Sequence, residues 1–144
     1  MDFKILKTKE KDLDEVYEMI CELEDLRFSK LKFRNIFLKN LENKNIYYFT
    51  IYDKKEIIGF VSFHIQNLLH HCGQVAEIQE LFIKEKYRGK NIGSKIIKYL
   101  VNFSQKKKYK TIEVTVNLKR KKTHQFYSRY FTKTHYKFTN NLKI

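Results

Sequence analysis

The stretch YRGKNIGSK, residues 87 to 95, places two glycines and several cations in one short turn. An apolar strand-like run precedes it, and an apolar helix-like run follows it. Glycines let backbone N–H groups approach a ligand closely, and the first N–H groups of a helix bind phosphate readily. The turn therefore predicts a pyrophosphate-binding site built on Gly89 and Gly93. Side-chain charge at this site would come from Arg88, Lys90 and Lys95.

Two common phosphate-binding motifs are absent from the sequence. A P-loop needs GxxxxGK[ST], and a dinucleotide-binding fold needs GxGxxG with an acidic residue about twenty positions later. Packing alone also places glycines in tight turns, so a structural role for Gly89 and Gly93 stays open at this point.

Three histidines, His64, His70 and His71, are candidate metal ligands because imidazole is the commonest metal ligand in proteins. No HExxH motif and no paired Cys/His spacing accompanies them. We therefore predict no protein-bound metal. The two cysteines, Cys21 and Cys72, form neither a CxxC pair nor a disulfide framework, and we interpret them as reduced thiols.

Length and composition predict one domain over residues 1–144, because a domain typically has about 100–200 residues. Apolar residues make up 42% of the chain and aromatic residues 15%, which is enough for a hydrophobic core. No apolar run approaches the roughly 20 residues of a membrane span, and the N-terminus lacks a signal-peptide pattern. These features predict a soluble, cytoplasmic protein without a membrane partner.

The net charge of +14 is concentrated in residues 86 to 122, which hold thirteen Lys/Arg and one acid, Glu113. Such a segment favours an anionic partner, although a general bias towards lysine explains it equally well. The runs KKKYK and KRKK suit a nucleic-acid backbone, but no helix-turn-helix, zinc-finger or RNA-recognition signature accompanies them. We predict no nucleic-acid partner and keep a basic nucleic-acid-binding module without catalysis as an alternative.

Hydrophobic periodicity predicts the helices and strands that must position the turn. Strands are expected at residues 3–6, 46–52, 56–66, 75–84, 111–116 and 135–139, and helices at 11–26, 30–43, 92–106 and 120–130. The turn then lies between the fourth strand and the third helix. This order of elements predicts a mixed α/β sheet flanked by helices.

The segment RGKNIG, residues 88 to 93, resembles the R/Q-x-x-G-x-G/A signature of the GNAT superfamily of acyl-CoA-dependent N-acetyltransferases, which follows that family's fourth strand. Asn91 stands where the superfamily usually has a glycine, and Asn is the next most tolerant residue at positive φ. Several stretches, EIQEL and RGxNxGSK among them, are more similar to the bacterial aminoalkylphosphonate N-acetyltransferases, a subgroup that shares this asparagine.

The resemblance implies a mostly antiparallel, splayed sheet, acetyl-CoA as donor, and a small-molecule amine as acceptor. The preferred acceptor is an acidic amine, either an aminoalkylphosphonate or an amino acid. Acetylation of protein lysines or N-termini is the first enzymatic alternative. A homodimer also stays open, because dimers are frequent in the superfamily.

Cofactor contacts follow from the same resemblance. Main-chain groups of Leu81, Phe82 and Ile83 would bind the pantetheine arm and the thioester carbonyl. The pyrophosphate would lie on the turn and the helix start, which are formed by Arg88, Gly89, Lys90, Asn91, Ile92, Gly93 and Ser94. Arg120, within the KRKK run, is expected near the adenosine end of the cofactor.

Catalysis requires a carboxylate, because an amine acceptor arrives as ammonium and must lose a proton before it attacks. Glu77 and Glu80 are three residues apart on one strand, so we expect their side chains to point to opposite faces. Glu77 matches the subgroup's EIQEL glutamate and is predicted as base or water-positioning residue, with Glu80 as a solvated or salt-bridged residue. Tyr127, which matches the family's tyrosine, is predicted as general acid. Acceptor binding is expected to involve Arg34, His64 and His71.

Overall fold

A five-stranded sheet forms the centre of the computed structural model, which describes residues 2–142. The strands are β1 (Lys4–Lys7), β2 (Ile46–Asp53), β3 (Glu56–Leu68), β4 (Gly73–Ile83) and β5 (Thr111–Val114). They lie in the order β1-β2-β3-β4-β5, and neighbouring strands are antiparallel except β4 and β5, which are parallel. The predicted mixed, mostly antiparallel sheet is confirmed.

Four helices accompany the sheet: α1 (Leu13–Glu24), α2 (Lys30–Leu41), α3 (Ile92–Lys107) and α4 (Lys121–Ser128). Each predicted helix, and each predicted strand but the last, is found with its ends within two residues of the expected positions. Among residues 2–142, no helix is both long enough and apolar enough to cross a membrane.

Alternation along β3 divides the hydrophobic core between the two faces of the sheet. Val61 and Phe63 belong to one cluster with Ile96 of α3. Phe60 belongs to a second cluster with Phe37 of α2 and with side chains of α1. The sheet therefore has α3 and α4 on one face and α1 and α2 on the other.

The prediction of a strand at residues 135 to 139 is wrong, because no helix or strand occurs between residues 129 and 142. Tyr136 and Phe138 alternate as a strand would require, yet their side chains are 76% and 92% exposed. High β-propensity stabilises a strand only where the pleated surface packs against neighbours. Within residues 2–142 the sheet ends at β5, which has four residues, and no further strand pairs with it.

Gly59 lies where the backbone of β3 passes close to that of β4. A Cβ at this position would lie 2.8 Å from the carbonyl oxygen of Phe82. We expect Gly59→Ala to lower the free energy of unfolding by about 1–3 kcal/mol, because two paired backbones must move apart. Urea denaturation measures the change.

Gly73→Ala is the matched control for this prediction. The atoms that its Cβ would meet, at 2.9 Å and beyond, belong to the side chain of Lys110, which is flexible. A loss of stability as large as that of Gly59→Ala would contradict the explanation by backbone contact.

Candidate functional site

The glycine-rich turn joins β4 to α3 through two residues with left-handed backbone conformation. Gly89 has φ +74° and Asn91 has φ +63°. Asn adopts positive φ more readily than most residues, so the expectation that it can replace glycine here is confirmed. A Cβ on Gly89 would meet no atom within 4 Å, so the turn is open on this side.

The start of α3 adds backbone groups that could bind an anion. Asn91 is the N-cap residue, and no side chain caps the first turn of the helix. The first N–H groups and the positive end of the helix dipole are therefore available to a ligand. Lys90 and Lys95 are exposed beside them and add positive charge.

Arg88 has a structural role in addition to its charge. Its Nε donates a hydrogen bond of 2.8 Å to the carbonyl oxygen of Ile83, and its guanidinium lies over the ring of Phe82. Arg88 therefore ties the turn to the end of β4, which fixes the direction in which α3 leaves the sheet.

Gly93 is small because α4 packs against it. A Cβ at Gly93 would lie 3.1 Å from Cζ of Phe126. The next residue, Tyr127, is buried in the core cluster that also contains Ile92 and Ile96. Burial raises the pKa of Tyr127 to about 12, so its phenol keeps its proton at neutral pH.

β4 and β5 part half-way along β4. Their parallel pairing runs from Val75 opposite Thr111 to Ile78 opposite Val114 and ends there. β4 continues to Ile83, so Leu81, Phe82 and Ile83 have no β5 residue beside them within the described chain. Backbone groups of this segment face the gap between the strands, as expected from a splayed sheet.

A β-bulge in β4 overturns the expectation that Glu77 and Glu80 point to opposite faces. Ile78 pairs with Phe63 and Glu80 pairs with Ser62, so Gln79 is an extra residue without a partner in β3. An extra residue shifts the alternation of side chains by one position. Glu77 and Glu80 therefore lie on the same face, the one covered by α1 and α2.

Four polar side chains, in two cross-strand pairs, lie on this face. Glu77 pairs with His64 across the strands, and Ser62 Oγ donates a hydrogen bond to the Glu80 carboxylate. Burial lowers the pKa of His64, although the charges of Glu80 and Glu77 act in the opposite direction. His64 is therefore a neutral imidazole at pH 7 between two carboxylates.

Glu77 is the more accessible carboxylate. Gln79 Nε2 donates a hydrogen bond of 2.7 Å to Glu77 Oε1, and Thr115 Oγ1 donates one of 3.4 Å to Glu77 Oε2. Both partners are on the outer part of the splayed region, where water can reach the carboxylate. Glu77 therefore forms its hydrogen bonds at the protein surface, beside its cross-strand partner His64.

A cavity of about 410 Å³ lies between α1, α2 and the sheet, and within residues 2–142 Glu80 is the only carboxylate that lines it. Eight of its eleven lining residues are apolar or aromatic, including Val16, Ile20, Phe33, Phe37, Tyr48 and Phe60. The sequence alone does not predict this cavity. The apolar stripes of α1 and α2 were visible in the sequence, but a stripe does not reveal whether its packing leaves a gap.

The remaining predicted site residues lie outside this cavity. Arg34 is 3.7 Å from Glu10, and His71 is 3.5 Å from Glu113. Arg120 donates a hydrogen bond of 2.7 Å to the carbonyl oxygen of Leu23 and lies near Glu24. Each of the three therefore already has a partner in the fold, and the cation that lines the cavity is Lys32 instead.

No group of three or more His, Cys, Asp or Glu side chains within residues 2–142 is arranged to hold a metal ion. The rings of His70 and His71 are in contact at a tilt of 54°, with centroids 4.5 Å apart, in the turn between β3 and β4. They are separated from His64 by the length of a strand segment, so the three histidines do not converge.

Solved structures share this fold. A transcriptional regulator from Bacillus halodurans C-125 has a TM-score of 0.89 at 19% identity, covering 98% of this chain and 100% of its own. An aminoglycoside acetyltransferase from an uncultured soil metagenomic sample, in complex with trehalose, has a TM-score of 0.81 at 20% identity, covering 98% and 97%. At these identities the similarity concerns the fold alone.

Sequence comparison is more specific about the family than structural similarity is. Residues 13–131 match the model of the acetyltransferase (GNAT) family. The aminoalkylphosphonate N-acetyltransferase of Salmonella typhimurium (strain LT2) is 34% identical over 132 residues, which cover 91% of this chain and 86% of that protein. The chain therefore belongs to the GNAT family and is an acetyltransferase.

Proposed function

We propose that this enzyme transfers an acetyl group from acetyl-CoA to the primary amine of a small acidic acceptor, an aminoalkylphosphonate or an amino acid. The observation that supports this best is that Glu77 and Glu80 lie on one face of β4, beside the point where β4 and β5 part. The Salmonella typhimurium relative, an aminoalkylphosphonate N-acetyltransferase, supports the choice of acceptor. We also propose that residues 1–144 form a single domain, since the family match spans residues 13–131.

The residues around the turn fit the donor. Acetyl-CoA supplies an acetyl thioester, a pantetheine arm and a pyrophosphate. Open backbone N–H groups at Gly89 and at the start of α3, with the charges of Lys90 and Lys95, suit the pyrophosphate. The unpaired edge of β4 suits the amide groups of the arm. Arg120 is left out of this proposal, because its guanidinium already binds α1.

The two carboxylates have different roles in the proposed reaction. Glu80 lines the cavity and holds the acceptor's ammonium group. Glu77 is the general base: it takes the ammonium proton through His64, its cross-strand partner, or through water, since its hydrogen bonds lie at the protein surface. The neutral amine then attacks the thioester carbonyl, and a C–N bond replaces the C–S bond. The nitrogen releases a further proton to water as the amide forms, which balances the proton that the leaving sulfur takes up.

Tyr127 supplies the proton that the leaving sulfur takes up. Its phenol remains protonated at neutral pH and gives its proton to the sulfur that leaves the acetyl carbon. Phe126 and Ile83 help to hold the helix that bears Tyr127 against the start of α3. Direct attack is proposed because neither cysteine is among the residues of the site.

The proposed function is tested by free-thiol release from acetyl-CoA against a panel of amines. The panel contains aminomethylphosphonate, aminoethylphosphonate, amino acids, polyamines, an aminoglycoside and a lysine peptide, each with and without a divalent metal. Turnover confined to acidic amines is expected. Turnover of the lysine peptide alone would replace the proposed acceptor with a protein and leave the enzyme class intact.

Glu77→Gln is expected to lower kcat by about 10²–10⁴-fold, because a positioned general base contributes roughly that factor. Glu80→Gln is expected to raise the acceptor's KM by about 10-fold or more, the value of a hydrogen bond to a charged group. Steady-state kinetics at saturating acetyl-CoA separate the two effects.

Glu113→Gln is the control for these variants. Glu113 is the residue of β5 that pairs with Glu77, but its carboxylate lies beside His71 and Thr111 and not beside His64. Little change in kcat or KM is expected. A Glu113 variant as slow as Glu77→Gln would show that the face as a whole, and not Glu77, determines the rate.

Tyr127→Phe is expected to lower kcat by about 10²-fold, because the ring still packs but no proton can be donated. A phenol can act as an acid only below its pKa, and that pKa is raised to about 12 by burial. The wild-type rate should therefore not fall between about pH 7 and about pH 10, near the ordinary tyrosine pKa.

Tyr109→Phe is the control, since burial also raises the pKa of Tyr109 to about 12 but its ring packs near Phe103, at the other end of α3. It should change kcat little. An alkaline fall in wild type that Tyr127→Phe abolishes would contradict the raised pKa.

Asn91 is expected to tolerate glycine but not alanine. Its φ of +63° strains a residue with an ordinary Cβ, so Asn91→Ala should destabilise the fold by about 1–2 kcal/mol and weaken coenzyme A binding. Asn91→Gly should be at least as stable as wild type. Urea denaturation measures the stability of each variant, and calorimetric titration measures its affinity for coenzyme A. Equal stability and equal affinity of the two variants would contradict the proposed role of the turn.

A further inference from the structure

The cavity next to Glu80 is more apolar than a small, highly charged acceptor requires. Its volume is about 410 Å³, within the range of pockets that bind complete small molecules. Only three of its eleven lining residues are not apolar or aromatic: Ser29, Lys32 and Glu80. An aminomethylphosphonate, with a single carbon between amine and acid, would leave most of this wall in contact with water.

Aromatic rings form much of the wall. Phe33 stacks on Phe37 with ring centroids 6.4 Å apart, and Tyr48 meets Phe60 edge to face at 5.2 Å. Asn40 Nδ2 donates a hydrogen bond to the Tyr48 hydroxyl, so the ring is held in place without a ligand. The wall is therefore preformed.

The cavity also reaches solvent through an apolar edge. Ile36 lines the cavity and yet is 61% exposed. A branched aliphatic side chain at such an edge can contact a ligand that enters, and it gains burial when the ligand binds. Two charged side chains line the same cavity: the carboxylate of Glu80 on the sheet and the ammonium of Lys32 on α2.

We propose that the preferred acceptor has a branched aliphatic or aromatic substituent on the carbon that bears the amine, and that this substituent fills the cavity. This inference rests on the proposed function. The ammonium group lies on Glu80, and the phosphonate or carboxylate of the acceptor pairs with Lys32. The acceptor class is thus the hydrophobic 1-aminoalkylphosphonates or the corresponding amino acids.

A homologous series tests the inference. The substrates are aminomethylphosphonate and its 1-methyl, 1-isobutyl and 1-benzyl derivatives, with glycine, alanine, leucine and phenylalanine as the carboxylate series. Each additional buried methylene is expected to raise kcat/KM about fourfold. The gain should come from KM, because the substituent is buried equally in the ground state and the transition state.

Two variants of α2 separate cavity contacts from general effects on the helix. Ile36→Asn places a neutral polar group in the cavity edge, and it should reduce the preference for the benzyl over the unsubstituted phosphonate by about fourfold or more. Leu31→Asn is the control, because Leu31 is 68% exposed on the same helix but does not line the cavity. Its preference should equal that of wild type.

The role of Lys32 has its own matched pair. Lys32→Ala should raise the KM of every member of a series by a similar factor, since it contacts the common acid group and not the substituent. Lys39→Ala, which removes an exposed lysine of α2 away from the cavity, should leave KM unchanged. Circular dichroism of each variant verifies that α2 still forms.

A rise in kcat/KM along the series that Ile36→Asn weakens would support the inference. Equal or decreasing kcat/KM along the series, with aminomethylphosphonate turned over, would overturn it and leave the proposed function in place. Absence of turnover with every phosphonate and every amino acid would overturn the proposed acceptor and, with it, this inference.

Discussion

The bulge at Gln79 is the constraint on which the geometry of the site depends. An extra residue in one strand bends it, increases its twist and interrupts the regular pairing with its neighbours. In β4 the bulge lies directly after Ile78, the last residue that pairs with β5. One residue therefore both directs Glu80 to the same face as Glu77 and accompanies the separation of β4 from β5.

The two consequences of the bulge meet at one place in the molecule. The separated strands leave backbone groups of β4 open at the edge of the sheet, while the two carboxylates lie on the face next to that edge. The turn with Gly89 and Asn91 follows a few residues later and directs the start of α3 towards the same region. In the proposed reaction, a donor bound along the edge and an acceptor bound on the face would meet beside Glu80.

Packing in this region accounts for residues that also look functional. Gly93 is small because Phe126 packs against it, and Arg88 binds the end of β4 while it contributes charge to the turn. Packing and ligand binding are therefore not exclusive explanations for the same residue. The turn can be stable before a ligand binds, which lowers the entropic cost of binding.

Local patterns in the sequence were sufficient for the helices and for five of the six predicted strands, because hydrophobic periodicity follows directly from which face is buried. They were also sufficient for the open turn and for positive φ at Asn91, since both depend on a few adjacent residues. Three features depended on distant residues. The bulge at Gln79 is defined by the register with β3, and the cavity under α2 is defined by the packing of two helices against the sheet. The segment near Phe138 forms no strand because a strand forms only where it pairs with another strand. The sequence thus determined the local backbone and the family, whereas tertiary structure decided which side chains meet, because contacts between distant residues form only when the chain folds.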